Sequence, residues 1–122
     1  MLFTGDPMRN PKYHVHRKGD GRFHLKLIDS EGDTVLVAGS FPSRLDCETA
    51  LQSMRNNSRF EARYRRAETT SHRFYFDLTG VDGIVVGTSP HYDSESKRER
   101  AIAGIRDFGP TAPLKESSET ST

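Results

Sequence analysis

Apolar and polar residues alternate in short stretches through the first half of the chain. The segments 13–17 and 22–28 predict two β-strands, and the letters KGDG at 18–21 between them are typical of a hairpin turn. The β-branched apolar segment 34–38 predicts a third strand. A helix is predicted to begin after Ser43, a favourable N-cap residue, and to end at Asn56-Asn57. Its apolar face has helical spacing and consists of Cys47, Ala50, Leu51 and Met54.

The second half shows the same succession of patterns. Strands are predicted at 62–66 and 73–78, joined by a polar loop at 68–72, and a third apolar strand is predicted at 84–88. Asp93 or Ser94 is expected to cap a second helix. The apolar face of this helix is Ala101, Ile102 and Ile105, with Phe108 after it.

The two halves align with each other without a gap when the sequence is shifted by 51 positions. Tyr13 then falls on Tyr64, Phe23 on Phe74, and Ser43 on Ser94. A repeat of this length is typical of a supersecondary unit that cannot bury its apolar face alone. We therefore predict an α+β fold built from two β-β-β-α units, in each of which the helix covers one face of the sheet.

These patterns also predict the domain boundaries. Residues 12–115 form a single domain, with repeat one at 12–61 and repeat two at 62–115. We expect residues 1–11 to be a disordered leader and residues 116–122, which are rich in Ser and Thr, to be a disordered tail. A short strand at 111–115 would be confined to a sheet edge by Pro113.

Composition and charge exclude several classes of protein. With 18 basic and 17 acidic residues the net charge is +1, so the chain has no global field that would attract nucleic acid or an anionic membrane. No segment approaches the roughly 20 apolar residues of a membrane span. The single cysteine excludes an intrachain disulfide and suits a reducing compartment. We therefore expect a bacterial-type cytoplasmic protein.

Two segments carry a resemblance to a known family: RFYFDLTGVDGIVVGTSPHYDSESKRERAIAGIRDFG at 73–109 and the strand RFHLK at 22–26. On these segments the sequence resembles the YegP-like family of small tandem-repeat proteins of unknown function, over about residues 12–115. The resemblance implies an α+β fold of tandem β-β-β-α(-β) repeats that share one continuous antiparallel sheet, with two helices packed on one face. In this fold a segment after each helix is exchanged between the halves. On this interpretation 59–66 carries the closing strand of repeat one into repeat two. The resemblance implies no activity, cofactor or catalytic residue.

Three histidines are the candidate metal ligands. His14 and His16 alternate on the first strand, and His24 lies on the second. If Tyr13 faces the core, all three histidines lie on the opposite face of the sheet. Three histidines on one face could bind zinc with one position open. The alternative, which we favour, is a polar outer face, because the second half does not keep these residues.

A group of basic and aromatic residues near the join of the repeats forms a candidate nucleic-acid or partner surface. Arginine binds phosphates, and tyrosine stacks on bases. Charge on an edge strand also blocks pairing with other chains, which is the simpler explanation. The candidate residues are Arg59, Arg63, Arg65, Tyr64, Tyr75 and Arg73.

No motif for catalysis is present. The sequence contains no GxSxG motif, no phosphate-binding glycine loop and no CxxC, and Cys47 lies on an apolar helix face where an inert thiol is expected. We predict a small non-enzymatic protein without a cofactor, which acts as a protein-interaction or self-associating module. The alternative is a nucleic-acid-binding protein that uses an arginine-rich sheet face. An enzyme or a zinc protein is the third interpretation.

Overall fold

The computed structural model describes residues 10–118, in which two helices pack against a seven-stranded sheet. The first half contains β1 (Lys12–Arg17), β2 (Phe23–Ile28), β3 (Thr34–Phe41) and α1 (Arg44–Ser58). A short 3-10 helix (Glu61–Arg63) follows. The second half contains β4 (Tyr64–Glu68), β5 (Phe74–Thr79), β6 (Val85–Thr88), α2 (Glu95–Phe108) and β7 (Leu114–Ser118).

The strand order of the sheet is β4-β5-β6-β3-β2-β1-β7. The strand after α1, β4, pairs with β5, whereas the strand after α2, β7, crosses to the other half and pairs with β1. The β7–β1 pair is parallel, and the remaining pairs within residues 10–118 are antiparallel. The predicted α+β class with one sheet and two helices is confirmed, whereas the prediction of an entirely antiparallel sheet is wrong at the β7–β1 edge.

Both helices cover the same face of the sheet and enclose one core. Tyr13, Leu27, Leu36, Phe76 and Leu78 are completely buried from the sheet side. The helices contribute the following buried residues: Cys47, Leu51, Met54, Ala101, Ile102 and Ile105. The halves meet at β3 and β6, where the register joins Val37 to Thr88. Because one residue pair is registered between these two strands, burial of the shared apolar face contributes more than strand pairing to holding the two halves together.

Each helix begins at a serine cap, as predicted. The Ser43 hydroxyl accepts a hydrogen bond from the Asp46 amide, and the Ser94 hydroxyl accepts one from the Lys97 amide, both at 3.1 Å. These bonds satisfy amides that lack a partner inside the helix. Ser94, and not Asp93, is therefore the cap of α2, and α1 runs past its predicted end to Ser58.

Several predicted boundaries are wrong. The segment 62–66 is not one strand, because the 3-10 helix occupies Glu61–Arg63 before β4 begins. The tail predicted at 116–122 contains the last residues of β7, where the Glu116 carboxylate accepts two hydrogen bonds from Arg44 at 2.6 and 2.9 Å. The leader predicted at 1–11 includes Pro11, which is buried. Residues 1–9 and 119–122 of these predictions lie outside the described residues.

The strand predicted at 111–115 begins later than expected, at Leu114. Pro113 has no amide proton, but its carbonyl oxygen accepts a hydrogen bond from the Tyr13 amide at 2.8 Å. The proline therefore leads the chain into a sheet edge, in agreement with its expected position. Neither helix within residues 10–118 is long and apolar enough to cross a membrane.

Candidate functional site: the open face of the sheet

The sheet has one face without helices, which we call the open face. Tyr13 and Val15 of β1, and Leu25 and Leu27 of β2, are buried in the core, so their neighbours point to the other side. On β7, Glu116 reaches Arg44 of α1, so Lys115 and Ser117 point to the open face. The residues of β7, β1 and β2 on the open face are Lys115, Ser117, Lys12, His14, His16, His24 and Lys26. The predicted position of the three histidines opposite the core is confirmed.

Strand register places three basic residues, two lysines and a histidine, in one row across the sheet. His14 lies directly opposite Lys26 on β2 and opposite Lys115 on β7. We call Lys26, His14 and Lys115 the basic row. In the next row, two residues further along β1, His16 lies between His24 and Ser117. The open positions of these three strands within residues 10–118 carry no carboxylate.

Ser117 connects the two histidines of β1. Its hydroxyl oxygen lies 3.0 Å from His14 Nε2 and 3.3 Å from His16 Nδ1, and the two imidazole rings are 6.0 Å apart. His14 Nδ1 and His24 Nε2 are buried and have no hydrogen-bond partner within the described part of the chain. These two nitrogens are therefore polar groups that the fold itself does not satisfy.

The environment of His14 favours its neutral form. Burial lowers the pKa of His14 below its usual value of 6.5, and the charges of Lys26, His16, Lys115 and Lys12 lower it further. The lowered pKa therefore reflects burial first and, in addition, the basic side chains that surround His14 on this part of the open face.

A groove lies beside the basic row. Its volume is about 630 Å³, and its walls include His16, His24, Lys26, Val37 and Ser40. Val37 has 45% of its surface exposed. The floor includes Gly39, whose φ of +113° is accessible to glycine and rarely to other residues. Gly39 lies at a bulge where β3 shifts register against β2, so the local geometry of the groove depends on this glycine.

The three histidines do not form a metal centre in this structure. Within residues 10–118, no group of three or more His, Cys, Asp or Glu side chains is placed so that it could hold a metal ion. His14 and His16 both point a ring nitrogen at the Ser117 hydroxyl. The predicted shared face therefore brings two ring nitrogens to one hydroxyl, and the third histidine does not complete a set of ligands with them within the described residues.

The arginine-rich candidate surface does not form one patch. Arg59 is exposed at the end of α1, and Arg63 donates a hydrogen bond to Asn57 Oδ1 at 3.1 Å. Arg63 precedes the first residue of β4, whereas Arg73 adjoins the opposite end of the β4–β5 pair and donates to the His91 carbonyl at 3.1 Å. With about 3.4 Å per residue, the two ends lie some 15 Å apart.

The inclusion of Tyr64 in that surface is wrong. Tyr64 is 6% exposed, and its hydroxyl donates a buried hydrogen bond of 2.6 Å to the Ser58 carbonyl. Its ring packs against Phe76 at 5.7 Å. Tyr64 is a core residue because it occupies the position in β4 that Tyr13 occupies in β1.

The second half of the open face carries mixed charge. Arg65 lies opposite Asp77, and the Asp77 carboxylate accepts a hydrogen bond of 2.8 Å from Thr88. Tyr75 lies on the same face, with its ring 5.1 Å from that of His91. Asp77 stands where the first half has Lys26 in the 51-residue alignment. The uncompensated positive charge therefore lies on β7, β1 and β2, and not on β4 and β5.

The other reactive side chains are held in structural contacts. Cys47 is 2% exposed, and burial raises the pKa of its thiol above the usual value. The Arg66 guanidinium pairs with Glu61 at 2.7 Å and with Glu99 at 2.8 Å. The hydrogen bond from Arg66 holds the pKa of Glu99 below its usual value.

Sequence reasoning missed the three lysines of the open face. Lys12 lies two positions from His14 on β1, and Lys26 lies two positions from His24 on β2. The alternation that assigns the histidines to the open face therefore assigns these lysines to it as well. Lys115 had no such signal, because its position depends on the pairing of β7 with β1, residues about 100 positions apart in the sequence.

Comparison with known proteins shows which proteins share this architecture. Residues 70–116 match the model of DUF1508, a domain of unknown function. A UPF0339 protein of Acinetobacter baylyi is 29% identical over 104 residues, which cover 85% of this chain and 94% of that protein. The UPF0339 protein YegP of Escherichia coli is 26% identical over 106 residues, which cover 87% of this chain and 96% of YegP.

Two solved structures share the fold. The solution NMR structure of YegP from Escherichia coli has a TM-score of 0.81 at 25% identity and covers 92% of this chain and 97% of that one. The solution NMR structure of a UPF0339 protein from Shewanella oneidensis has a TM-score of 0.82 at 23% identity and covers 89% of this chain and 92% of that one. The chain thus contains a match to the DUF1508 domain and is similar, in sequence and in fold, to the UPF0339 proteins such as YegP, whose function is unknown.

Proposed function

We propose that this chain is a non-enzymatic binding module whose partner docks on the open face of the sheet. The observation that carries the proposal is the basic row beside a groove of about 630 Å³, on a sheet face without helices. A solvent-exposed face gains nothing for folding by gathering cations without carboxylates, because like charges repel each other. Such a face is therefore suited to an anionic partner.

The arrangement of the two halves supports a tandem duplication whose two copies have diverged on the open face. The Tyr13 hydroxyl donates to the Gly109 carbonyl, and the Tyr64 hydroxyl donates to the Ser58 carbonyl, both at 2.6 Å. A shift of 51 positions superimposes both donor and acceptor of these bonds. The core positions thus correspond while Lys26 and Asp77 differ, as expected if one half specialised in binding.

Self-association through the β4 edge has less support. The Phe76 amide donates to the Ser89 hydroxyl, and the Phe76 carbonyl accepts from the Ser89 amide, so the backbone of Phe76 faces away from β4. Arg66 lies opposite Phe76 on β4 and therefore directs its own amide and carbonyl toward the free edge of the sheet. The Tyr64 amide already donates to the Glu61 carbonyl, and Arg66 is paired with two glutamates. Charged side chains along a short edge oppose strand pairing. We expect a single monomer mass in sedimentation at millimolar concentration.

We also propose a non-enzymatic role in the cytoplasm, and two features of the structure support it. The Cys47 thiol is buried with a raised pKa, which opposes nucleophilic use and suits a reducing compartment. The ion pairs of Arg66 and Arg44 connect secondary-structure elements and leave their carboxylates engaged. These features support the interpretation that the charged groups away from the open face stabilise the fold and do not take part in catalysis.

Affinity capture with matched variants tests the proposed docking surface. Lys26→Asp gives the first half the residue type of the second half, and Arg100→Asp makes the same charge change on the exposed side of α2. We expect the wild-type protein and Arg100→Asp to retain the same partner from a bacterial lysate, and Lys26→Asp to lose it. Equal retention by all three proteins, or loss with Arg100→Asp alone, would contradict docking on the open face.

A further inference from the structure

We infer that the partner is a single-stranded nucleic acid, whose phosphates lie along the basic row while a base enters the adjacent groove. This inference rests on the proposed function and adds the chemical class of the partner. It concerns Lys26, His14 and Lys115 together with the groove residues His24 and Val37.

The spacing of the basic row suits a phosphodiester chain. Neighbouring strands lie about 4.8 Å apart, so Lys26 and Lys115 flank His14 and span about 10 Å across the sheet. Lys12 lies two residues from His14 on the same strand, about 7 Å away. Three flexible ammonium groups around one imidazole can therefore contact successive phosphates of one strand.

The electrostatics of the row favour an anion. The groups that face His14 are Lys12 and His16 of β1, Lys26 of β2 and Lys115 of β7, and all of them are basic. A bound phosphate would relieve their mutual repulsion and stabilise the protonated form of His14. Because the whole chain has a net charge of only +1, the attraction is local.

The groove provides a place for a base beside the phosphates. His16 and His24 are cross-strand neighbours at its wall, and both are aromatic rings that can stack on a base. Val37 is exposed at the same groove and offers an apolar contact. Lys26 belongs to both the row and the groove, so the backbone and the base of one nucleotide can be held together.

The shape of the surface favours a single strand over a duplex. A duplex is read by an element that enters a groove, such as a helix or a two-stranded ribbon. A sheet face with rings and cations instead accepts unpaired bases that stack, while the charges follow the backbone. The helices of this fold lie on the opposite side from the basic row, so none of them can enter a duplex groove there.

Binding to labelled oligonucleotides tests this inference directly. Fluorescence anisotropy would follow a 12-nucleotide oligo(dT), the matching oligo(rU) and a 12-base-pair hairpin duplex at pH 6.5. Contacts from three lysines predict a slope of about −2 in the logarithm of affinity against that of salt, which is about a 20-fold weakening between 50 and 200 mM. We expect the duplex to bind more weakly than either single strand.

Alanine variants assign the contacts to residues. Lys26→Ala and Lys115→Ala should each weaken binding and reduce the salt slope by about 0.7. Arg100→Ala, on the helix side, should leave both unchanged. Arg63→Ala combined with Arg65→Ala tests the arginine region near the join, and a loss of binding confined to that variant would overturn the assignment. Urea unfolding midpoints would establish that every variant is folded.

His14 offers a second readout that does not depend on affinity. Its imidazole pKa, measured by NMR titration, should lie below 6.5 in the free protein and rise when oligo(dT) is bound. Inorganic phosphate alone should produce a smaller rise, because it contacts one point of the row. A rise that phosphate reproduces in full would identify a simple anion site and overturn the inference.

The two proposals can fail separately. If no oligonucleotide binds at 20 mM salt while capture of a lysate protein still depends on Lys26, the nucleic-acid inference is overturned and the open face remains the docking surface. Equal affinity for the duplex and the single strands would also overturn it, because only the general attraction to phosphate would remain. Loss of both signals would refute the proposed function itself.

Discussion

The buried hydroxyl of Tyr13 gives a direct test of how the two halves are joined. Tyr13 is completely buried, and its hydroxyl donates to the Gly109 carbonyl at 2.6 Å, across 96 positions in the sequence. Tyr13→Phe removes the donor and leaves a buried carbonyl without this partner, while the ring keeps its packing. Leaving a buried polar group unsatisfied costs about 1–3 kcal/mol. We expect the free energy of unfolding to fall by that amount.

Urea unfolding at pH 7 measures this loss. A denaturant slope of roughly 1–3 kcal/mol per molar converts it into a fall of about 1 M in the midpoint. Tyr75→Phe is the matched control, because Tyr75 lies on the open face, and its free energy of unfolding should stay within about 0.5 kcal/mol of wild type. A Tyr13→Phe midpoint as close to wild type as the control would refute the stabilising role of this bond.

Alkaline pH tests the same residue independently. Burial raises the pKa of Tyr13 from 10.0 to about 12, while the Arg55 charge partly opposes the rise. Because the folded protein retains this proton longer than the unfolded chain, the stability from Tyr13 is complete below pH 10 and is lost as pH rises toward 12. Two pKa units correspond to roughly 3 kcal/mol. Tyr13→Phe should therefore lose less stability between pH 10 and 12 than Tyr75→Phe.

Three further predictions concern a glycine, an ion pair and the cysteine. Gly109→Ala should destabilise the fold by about 2 kcal/mol or more in urea, because the new Cβ would lie 2.6 Å from a backbone carbonyl, whereas Gly19→Ala, with nothing within 4 Å, should be near neutral. The hydrogen bond from Arg44 lowers the pKa of Glu116, so this ion pair stabilises the fold above pH 4.5 and is lost below it. The NMR chemical shifts of the β7 amides should therefore change on acidification, and Arg44→Ala should produce the same change in these shifts at pH 7. Cys47 should react with iodoacetamide about 100-fold or more slowly in the native protein than in urea, and fast native reaction would contradict its burial.

The secondary structure was largely predictable because its signals are local. Ser43 marked the start of α1, since a short polar side chain there can satisfy a free amide of the first turn. The alternation around Tyr13 placed His14 and His16 on the opposite face, because successive side chains of a strand point to opposite sides. Boundaries were less accurate near 59–66, where a 3-10 helix and a strand share one polar segment.

The candidate site was only partly predictable. Alternation predicts that the histidines and two of the lysines lie on the open face. It shows which face of the sheet a residue lies on, but not which residues of other strands lie beside it. Tyr64 illustrates the difference, because its arginine-rich surroundings indicated a surface residue while its alignment with Tyr13 indicated the core. The alignment was the better guide, since burial of an aromatic ring outweighs the charge of its neighbours.

The sequence by itself determined the elements, their repetition and the two faces of each strand, because these depend on residues within a few positions of one another. Only the tertiary structure decided which strands are adjacent. The pairing of β7 with β1 joins residues about 100 positions apart, and it brings Lys115 beside His14 and Lys26. Backbone hydrogen bonding between strands is the same for every residue type except proline, so strand order is decided by how the whole apolar face is buried.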